Sequence, residues 1–405
     1  MTRTVITLLA LGATVAACAE SDPRPETDAG ATAETSGRQS TPTAQPRLVI
    51  GSDAGVELVA GSDLEGLGRF PMASRPKLQV AGDGRHVFTL QSDAKEVGVV
   101  DAGTWSEAHG DHSHAYVTAP SVLDTTFDRG TSYHAVSDDE RSIVWFDDDG
   151  SFEAFDWTGL EDDDVEVQRV ETGAPHHGVA APTADGGFLA SYPEGEEAAG
   201  LLVLDAQGKE TDRIDGCNGL HGETHVGDDG YAFGCSDGVL VVEDGEGSLI
   251  KAPFEGSGTS TLVGADDSDV VVGNLFSEQD AEMAQRIAFY DVEAKEVASV
   301  DLGVEYSGFV RADGQTVALG TDGALHVVDD ESRKVVRTLK VVEPWTMTEE
   351  FSDPKPQVAI GGGFAWVTDP RDRSVAVFDL TSGKERERST LEDVPTSLVV
   401  VNSPA

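Results

Sequence analysis

Basic side chains are scarce in this sequence. Its 405 residues include 28 Lys and Arg against 74 Asp and Glu, which gives a formal net charge of −46. A chain with this charge repels a phosphate backbone, which argues strongly against nucleic acid as a partner. The charge draws cations towards the surface, but it does not by itself identify a metal site.

Long apolar runs are absent after the first residues of the chain. Positions 5–17 are almost wholly apolar, follow Arg3 and end directly before Cys18. This pattern is typical of a secretory signal peptide, and the run is too short to span a bilayer comfortably. Positions 15–18, Val-Ala-Ala-Cys, resemble the lipobox of bacterial lipoproteins. We therefore expect a lipoprotein signal peptide over 1–17 and an acylated Cys18, with an ordinary signal peptide as the alternative.

Large apolar residues are also nearly absent from the segment that follows. Positions 18–46 are rich in Ser, Thr, Ala, Pro and Glu, and such a segment cannot bury enough surface to offset its ordering entropy. The sequence predicts a flexible acylated tether over 18–46 and one folded domain over 47–405. The protein is then exported and held at the cell membrane by its lipid alone, facing the periplasm or the exterior.

Cysteine is rare, and only two cysteines lie in the folded part, Cys217 and Cys235. An even number of cysteines in an exported protein predicts a disulfide bond. Two free buried thiols are the alternative.

No long segment has helical periodicity, and short β-type runs alternate with Gly, Asp and Asn instead. A strand, an Asp-Gly turn, a second strand and a third strand ending on an acidic residue recur at spacings of 38 to 55 residues. Irregular all-β repeats of this length fit the blades of a β-propeller. The predicted third strands are 97–101, 151–156, 201–205, 239–243, 286–291, 324–329 and 375–379.

Two stretches remain outside these seven units, and they lie at the two ends of the folded part. Strands are expected at 48–51 and 56–60 and, near the C-terminus, at 396–401. Pairing of the two ends would add an eighth blade and remove exposed sheet edges. The sequence predicts a single β-propeller of eight blades closed by its N- and C-terminal strands, with seven blades as the alternative.

Histidine is concentrated in one part of the chain. Eight of the ten histidines fall between positions 109 and 225, whereas His86 and His326 lie within separate predicted strands and are interpreted as structural. His134, His177 and His221 each stand at the entrance to the first strand of a predicted blade. Such entrances converge on one mouth of the central channel, so we expect these three imidazoles to meet there.

The segment His109-Gly-Asp-His-Ser-His114 precedes the first of these entrances and is expected to reach the same face, as a mobile loop that supplies a ligand or a lid. Three or four nitrogen and oxygen ligands are the usual arrangement for zinc, although copper and nickel also bind imidazole. The candidate zinc ligands are His112, His114, His134, His177 and His221, with Asp111, His109, His176 and His225 as further candidates. His176 and His177 point to opposite sides if the chain is extended, so only one of them is expected to bind.

The lipoprotein start, the His109–His114 segment, His176-His177-Gly178 and Cys217-Asn-Gly-Leu-His221-Gly-Glu223 together resemble the AztD-type zinc metallochaperones. The resemblance implies an exported protein that carries Zn²⁺ and passes it to the substrate-binding protein of a zinc ABC importer. It is carried by His112, His114, His134, His177 and His221, and less firmly by Asp111.

Two other classes of function remain open at this point. A metal-dependent propeller hydrolase of the lactonase kind would use Glu223, beside His221, as a base acting on metal-bound water. A plain interaction scaffold would leave the histidine clustering without a purpose. We expect a protein that is not an enzyme, with the hydrolase as the alternative.

Overall fold

Antiparallel β-strands make up almost all of the fold. A computed structural model describes residues 37–109, 112–195, 197–227, 230–265, 268–348, 350 and 352–403. Within these residues the only helices are two short 3₁₀ helices, Trp157–Asp162 and Ala281–Gln285. Over the same residues there is no helix with the length and apolar character needed to cross a bilayer.

The first half of the chain contains eighteen strands. They are β1 (Gln39–Thr41), β2 (Arg47–Ser52), β3 (Gly55–Ala60), β4 (Gly66–Pro71), β5 (Lys77–Val80), β6 (His86–Gln91), β7 (Glu96–Asp101), β8 (Thr104–His109), β9 (His112–Val117), β10 (Ser121–Phe127), β11 (Ala135–Ser137), β12 (Arg141–Phe146), β13 (Ser151–Asp156), β14 (Gln168–Glu171), β15 (Ala180–Pro182), β16 (Phe188–Glu194), β17 (Glu197–Leu204) and β18 (Glu210–Asp215).

The second half continues the same pattern. Its strands are β19 (His221–Val226), β20 (Gly230–Cys235), β21 (Gly238–Glu243), β22 (Glu246–Lys251), β23 (Leu262–Ala265), β24 (Ser268–Asn274), β25 (Arg286–Asp291), β26 (Glu296–Asp301), β27 (Tyr306–Ala312), β28 (Gln315–Gly320), β29 (Ala324–Asp329), β30 (Lys334–Lys340), β31 (Gln357–Gly361), β32 (Phe364–Asp369), β33 (Ser374–Asp379), β34 (Glu385–Thr390) and β35 (Ser397–Val401).

These strands form eight four-stranded sheets and one three-stranded sheet within the described residues. Six of the four-stranded sheets are made of consecutive strands: β11–β14, β15–β18, β19–β22, β23–β26, β27–β30 and β31–β34. A seventh has the order β10-β7-β6-β5, and an eighth joins both ends of the fold in the order β35-β2-β3-β4. In the eighth sheet the C-terminal β35 pairs with β2, with Val401 opposite Arg47.

The predicted third strands coincide with β7, β13, β17, β21, β25, β29 and β33. Their ends agree to within one residue except at β17, which begins four residues earlier than expected. Because the acidic turn residues mark where each apolar run stops, the sequence pattern locates these strands well.

Burial explains why the second and third strands carry continuous apolar runs. Every residue of β20 is buried, whereas β18, the fourth strand of the preceding sheet, is mostly exposed. A strand that is covered on both faces by neighbouring sheets has no solvent-facing side that could alternate with a buried one. The fourth strands face solvent and carry the charge.

The hydrophobic core is divided into eight clusters, each between two neighbouring sheets. The sheet of β35, β2, β3 and β4 contributes Val49 to a cluster that contains Val87 of β6, and Ile50 to a cluster that contains Trp366 of β32. The Trp366 Nε1–H also donates to the Gly61 carbonyl at 2.8 Å. Each four-stranded sheet therefore packs against two others, and the order of contacts is cyclic.

The start of the folded part lies earlier than the sequence indicated. The described residues belong to one unit that begins at Gly37. Within the segment assigned to the tether, β1 pairs with β9, with Gln39 opposite Val117. Residues 39–41 thus belong to the folded unit, while Cys18 and the signal segment lie outside the described residues.

Candidate metal centre

Three imidazoles meet where the chain enters the first strands of three successive sheets. His134 directly precedes β11, His177 lies three residues before β15, and His221 is the first residue of β19. One ligand atom from each lies within 4.8 Å of those of the other two. The ring centroids are 5.1 to 5.6 Å apart. We call these three residues the strand-entry cluster.

Each imidazole of the strand-entry cluster has an acceptor beside its Nδ1. The Nδ1 of His177 lies 2.7 Å from Asp147 Oδ2, and the Nδ1 of His221 lies 2.9 Å from the Ser260 carbonyl oxygen. A neutral imidazole that donates from Nδ1 keeps its lone pair on Nε2. Both rings are therefore held in the tautomer in which Nε2 can bind a cation.

His134 is held by a carboxylate rather than by a well-aligned hydrogen bond. Its Nδ1 lies 2.9 Å from Glu223 Oε2, and both side chains are less than one tenth exposed. That oxygen has no hydrogen-bond partner among the described residues, so the contact does not have the geometry of a hydrogen bond. The contact is therefore electrostatic, and it places a buried carboxylate oxygen of Glu223 beside His134.

The local backbone brings His221 to its acceptor. Gly222 has φ +75° and lies at an irregularity in the pairing of β19 with β20. A Cβ at this position would lie 2.3 Å from the Ser260 carbonyl oxygen, the acceptor of His221 Nδ1. Glycine is thus required both for the left-handed conformation and for the close approach of the two chain segments.

The cluster combines a buried and an accessible side. His134 is 6% exposed, whereas His221 is exposed and His177 is intermediate. Enclosure by surrounding protein lowers the pKa of His221, and the positive charge of Lys77 and of protonated neighbouring imidazoles lowers it further. This shift favours the neutral imidazole, which is the form that binds a metal ion.

Two of the candidate ligands lie elsewhere. The ring nitrogens of His176 are taken by the Ala174 carbonyl oxygen at 2.8 Å and Ser191 Oγ at 2.9 Å, and its ring packs on Trp145. His225 packs on Tyr231, with ring centroids 4.5 Å apart. Among the described residues, neither belongs to a group of side chains that could hold an ion. Of the His176–His177 pair, His177 is thus the one in such a cluster.

The two histidines interpreted as structural have local partners. His86 is buried and contacts Asp83. His326 Nε2 lies 3.2 Å from both carboxylate oxygens of Asp322. Both are buried residues of strands, β6 and β29.

A second group of three imidazoles lies on the hairpin of β8 and β9. His109, His112 and His114 each offer a ligand atom within 4.8 Å of the others, and all three are exposed. His109 pairs with His112 at the end of the hairpin, and the centroids of the three rings are 4.9 to 5.5 Å apart. We call these residues the hairpin cluster. Asp111, the further candidate of this segment, lies outside the described residues.

The expectation that both groups share one face is wrong. The hairpin is inserted between β7 and β10, at the end of the sheet where Asp101 pairs with Ser121. His134 follows only after the whole of β10, whose seven residues run to the opposite end of the sheet, about 20 Å away. The sequence pattern predicts no strand at β10, so it leads to the expectation that the His109–His114 segment reaches the face on which His134 lies.

The hairpin is not a free loop but the middle and edge of the three-stranded sheet β1-β9-β8. Arg38 binds Glu107 through two hydrogen bonds of 2.8 and 2.9 Å, and its guanidinium lies 3.5 Å from the centroid of the Tyr116 ring. The start of the described chain is thereby attached to the hairpin that carries the three exposed imidazoles.

The predicted disulfide between Cys217 and Cys235 is confirmed. Cys217 is fully buried in the segment before β19, and Cys235 ends β20. The bridge fixes the chain four residues before His221, at the end of the sheet where the strand-entry cluster lies.

A lysine that the sequence pattern did not single out lies next to the strand-entry cluster. Lys77 Nζ donates to the Tyr133 carbonyl oxygen at 2.8 Å, directly before His134. Lys77 is the first residue of β5, and the three histidines lie at or just before the first strands of other sheets. This shared position is the feature of the sequence that could have identified Lys77 as a neighbour of the cluster.

Comparisons with known proteins agree with this picture. No established family model matches the chain. The zinc chaperone AztD of Citrobacter koseri is 27% identical over 362 residues, which cover 85% of this chain and 83% of that protein. The crystal structure of Citrobacter koseri AztD matches with a TM-score of 0.81 at 25% identity, over 89% of this chain and 98% of that one. An apo structure of the same protein gives a TM-score of 0.79.

A more distant structure, the dihydro-heme d1 dehydrogenase NirN, shares the fold alone, with a TM-score of 0.58 at 14% identity over 92% of this chain and 78% of that one. The fold and its clusters define an all-β protein of packed four-stranded sheets that carries two clusters of three histidines. In sequence and fold, the chain is similar to the zinc chaperone AztD of Citrobacter koseri. The curated relative is named a chaperone and not an enzyme, which agrees with the expectation that this protein is not an enzyme.

Proposed function

We propose that the protein is a zinc chaperone that holds Zn²⁺ at the strand-entry cluster. The observation that carries this proposal is the convergence of three imidazoles, each with an acceptor beside its Nδ1. Three nitrogen ligands leave one tetrahedral position for water or for a ligand of another protein. The name of the similar Citrobacter koseri protein points to the same cargo.

The ligand set favours a transfer function over a purely structural metal site. A structural zinc site is closed by four protein ligands, whereas a three-ligand site stays open to an incoming group. At the accessible side of the cluster, formed by His177 and His221, an acceptor protein could add its own ligand to the zinc ion before these imidazoles dissociate from it. The proposed acceptor is the substrate-binding protein of a zinc ABC importer.

The hairpin cluster takes a separate part in this proposal. Its place at the opposite end of the β10 sheet argues against a lid over the strand-entry cluster. A metal ion bound by exposed imidazoles that no protein wall encloses exchanges readily with solvent. We assign the hairpin cluster to the capture and hand-over of a second zinc ion.

The architecture proposed for the folded unit is an eight-bladed β-propeller. The eight four-stranded sheets, their cyclic order of packing and the pairing of β35 with β2 support it. In such a ring the starts of the first strands surround one mouth of a central channel. The strand-entry cluster would then lie at that mouth.

The proposed location follows from the start of the sequence. Residues 1–17 as a signal peptide and Cys18 as a lipid attachment site would hold the protein at the membrane, facing the periplasm or the exterior. Mass spectrometry of the mature N-terminus tests this proposal directly. A diacylglycerol-modified Cys18 supports it, and an unmodified N-terminus elsewhere contradicts it.

The function is tested by metal content and by transfer. Elemental analysis of the purified protein should find bound zinc, and zinc should pass to an importer's binding protein faster than it dissociates to a chelator in the absence of that protein. Transfer no faster than dissociation would contradict the chaperone function. Turnover of lactones or esters by the zinc-loaded protein would favour the hydrolase instead.

A further inference from the structure

Lys77 is a cationic residue at the entrance of the sheet that precedes the strand-entry cluster. It begins β5, and the sheet of β5 packs against the sheet of β11 to β14 through a shared hydrophobic cluster. Four neighbouring sheets thus present Lys77, His134, His177 and His221 near the starts of their first strands. A cationic side chain beside a cluster suited to a divalent cation opposes the binding of that cation.

Two side chains of β5 form hydrogen bonds with the backbone on either side of His134. The Lys77 Nζ donates to the Tyr133 carbonyl oxygen at 2.8 Å. The Ala135 N–H donates to Gln79 Oε1 at 2.9 Å. These two side chains of one strand therefore fix the peptide groups before and after His134, although neither touches its imidazole.

The ammonium group of Lys77 lies beside the cluster, although the residue as a whole is exposed. Desolvation by the surrounding protein lowers the pKa of Lys77, and the negative charge of Glu223 opposes that shift by favouring the charged form. The electrostatic partners of Lys77 include Glu223, which contacts His134, and His221. The two carboxylates at the cluster, Asp147 and Glu223, can balance the two charges of a zinc ion, and Lys77 adds one positive charge beyond that balance.

We propose that Lys77 limits the affinity of the strand-entry cluster for Zn²⁺, because its positive charge repels the bound ion while its hydrogen bond to Tyr133 positions His134. The proposal rests on the proposed zinc function. A carrier must release its cargo, and a fixed charge beside the ion weakens binding without removing a ligand. Lys77 is a positioning and affinity-setting residue and not a ligand.

The test compares three substitutions in the mature protein. Lys77→Gln removes the charge and keeps a donor, Lys77→Met removes both, and Lys77→Arg keeps the charge. Removal of one charge several ångströms from a divalent ion should tighten zinc binding about 5- to 30-fold in K77Q, measured by competition with a chromogenic chelator. K77R should bind within a factor of about two of the parent, because the repulsion remains.

A matched control is Lys95→Gln, which removes an exposed lysine whose Nζ binds Asp148 at 2.8 Å. K95Q should leave zinc affinity unchanged. If it tightens binding as much as K77Q does, the effect belongs to the overall charge of the protein and the proposal fails.

A second readout separates charge from structure. Because the repulsion scales with the charge of the ion, the change in the logarithm of the affinity of K77Q for Ag⁺ should be about half that for Zn²⁺. A purely structural role would weaken both ions alike.

The outcomes are distinct from those that test the function. If the parent binds zinc and K77Q binds it with equal or lower affinity, the role of Lys77 is overturned while the chaperone function stands. If the parent binds no zinc, the proposed function itself fails.

Discussion

The two histidine clusters each offer three imidazoles, but the chain brings them together in different ways. The hairpin cluster gathers residues within six positions of one another on two paired strands, and all of its members are exposed. The strand-entry cluster gathers residues from three sheets, and a neighbouring acceptor orients each imidazole. Local sequence can bring imidazoles together, but only the tertiary fold supplies the outer partners that make a preorganised site.

The largest expected effect separates the clusters by affinity. Replacement of His134, His177 or His221 with Ala should weaken tight zinc binding by more than about 100-fold, because loss of a ligand exceeds the ~10–100-fold cost of losing an outer partner. Chelator competition measures the affinity, and circular dichroism checks that the fold persists. His225→Ala, outside both clusters, is the matched control and should bind like the parent. If all three variants bound zinc as tightly as the parent, the strand-entry cluster would not be the tight zinc site.

The next effect tests the outer partners. Asp147→Asn and Glu223→Gln should each weaken zinc binding about 10- to 100-fold. The carboxylates orient His177 and His134 and make their imidazoles more basic, and a more basic imidazole binds the metal ion more strongly. Asp148→Asn is the control for D147N, since the neighbouring carboxylate binds Lys95 instead. Equal losses in D148N and D147N would mean that surface charge, and not orientation, sets the affinity.

A smaller effect on affinity is expected at the hairpin. Replacing His109, His112 and His114 together with Ala should remove one zinc equivalent and slow transfer to an importer's binding protein. The affinity of the strand-entry cluster should stay within a factor of about two, because the two clusters do not share ligands. Elemental analysis and stopped-flow transfer read these two quantities. A large loss of affinity at the strand-entry cluster would show that the two groups form one site after all.

The smallest effect on zinc binding is expected from the disulfide. Cys217→Ser with Cys235→Ser should lower the free energy of unfolding by about 3 kcal/mol, because the bridge closes a short loop. Zinc affinity should fall only a few-fold, since the ligands themselves remain. Denaturant unfolding measures the first quantity and chelator competition the second. An unchanged unfolding midpoint would contradict the stabilising role of the bridge.

The sequence pattern located most of the strands, because each ends at an acidic turn after an apolar run. It missed β10, where Ser121–Phe127 alternates exposed and partly buried residues and lacks the apolar run of an inner strand. That one omission placed the hairpin cluster on the wrong face. Fourth strands face solvent, so their composition differs little from that of a loop.

The strand-entry histidines could be read from their shared place before the first strands, but their partners could not. The acceptor of His221 is the Ser260 carbonyl, which every residue type carries and no sequence marks. Asp147 lies in a run of three aspartates, and only the fold distinguishes it from Asp148 and Asp149. Side-chain identity is written in the sequence, whereas the direction in which each group points is set by packing.

Anomalous diffraction at the zinc edge from zinc-loaded crystals shows directly whether the strand-entry cluster binds zinc. We expect a peak bound by the Nε2 atoms of His134, His177 and His221, each about 2.0–2.1 Å from the ion. Absence of a peak among these three nitrogens in fully loaded protein, with zinc found at the hairpin cluster alone, would contradict that expectation.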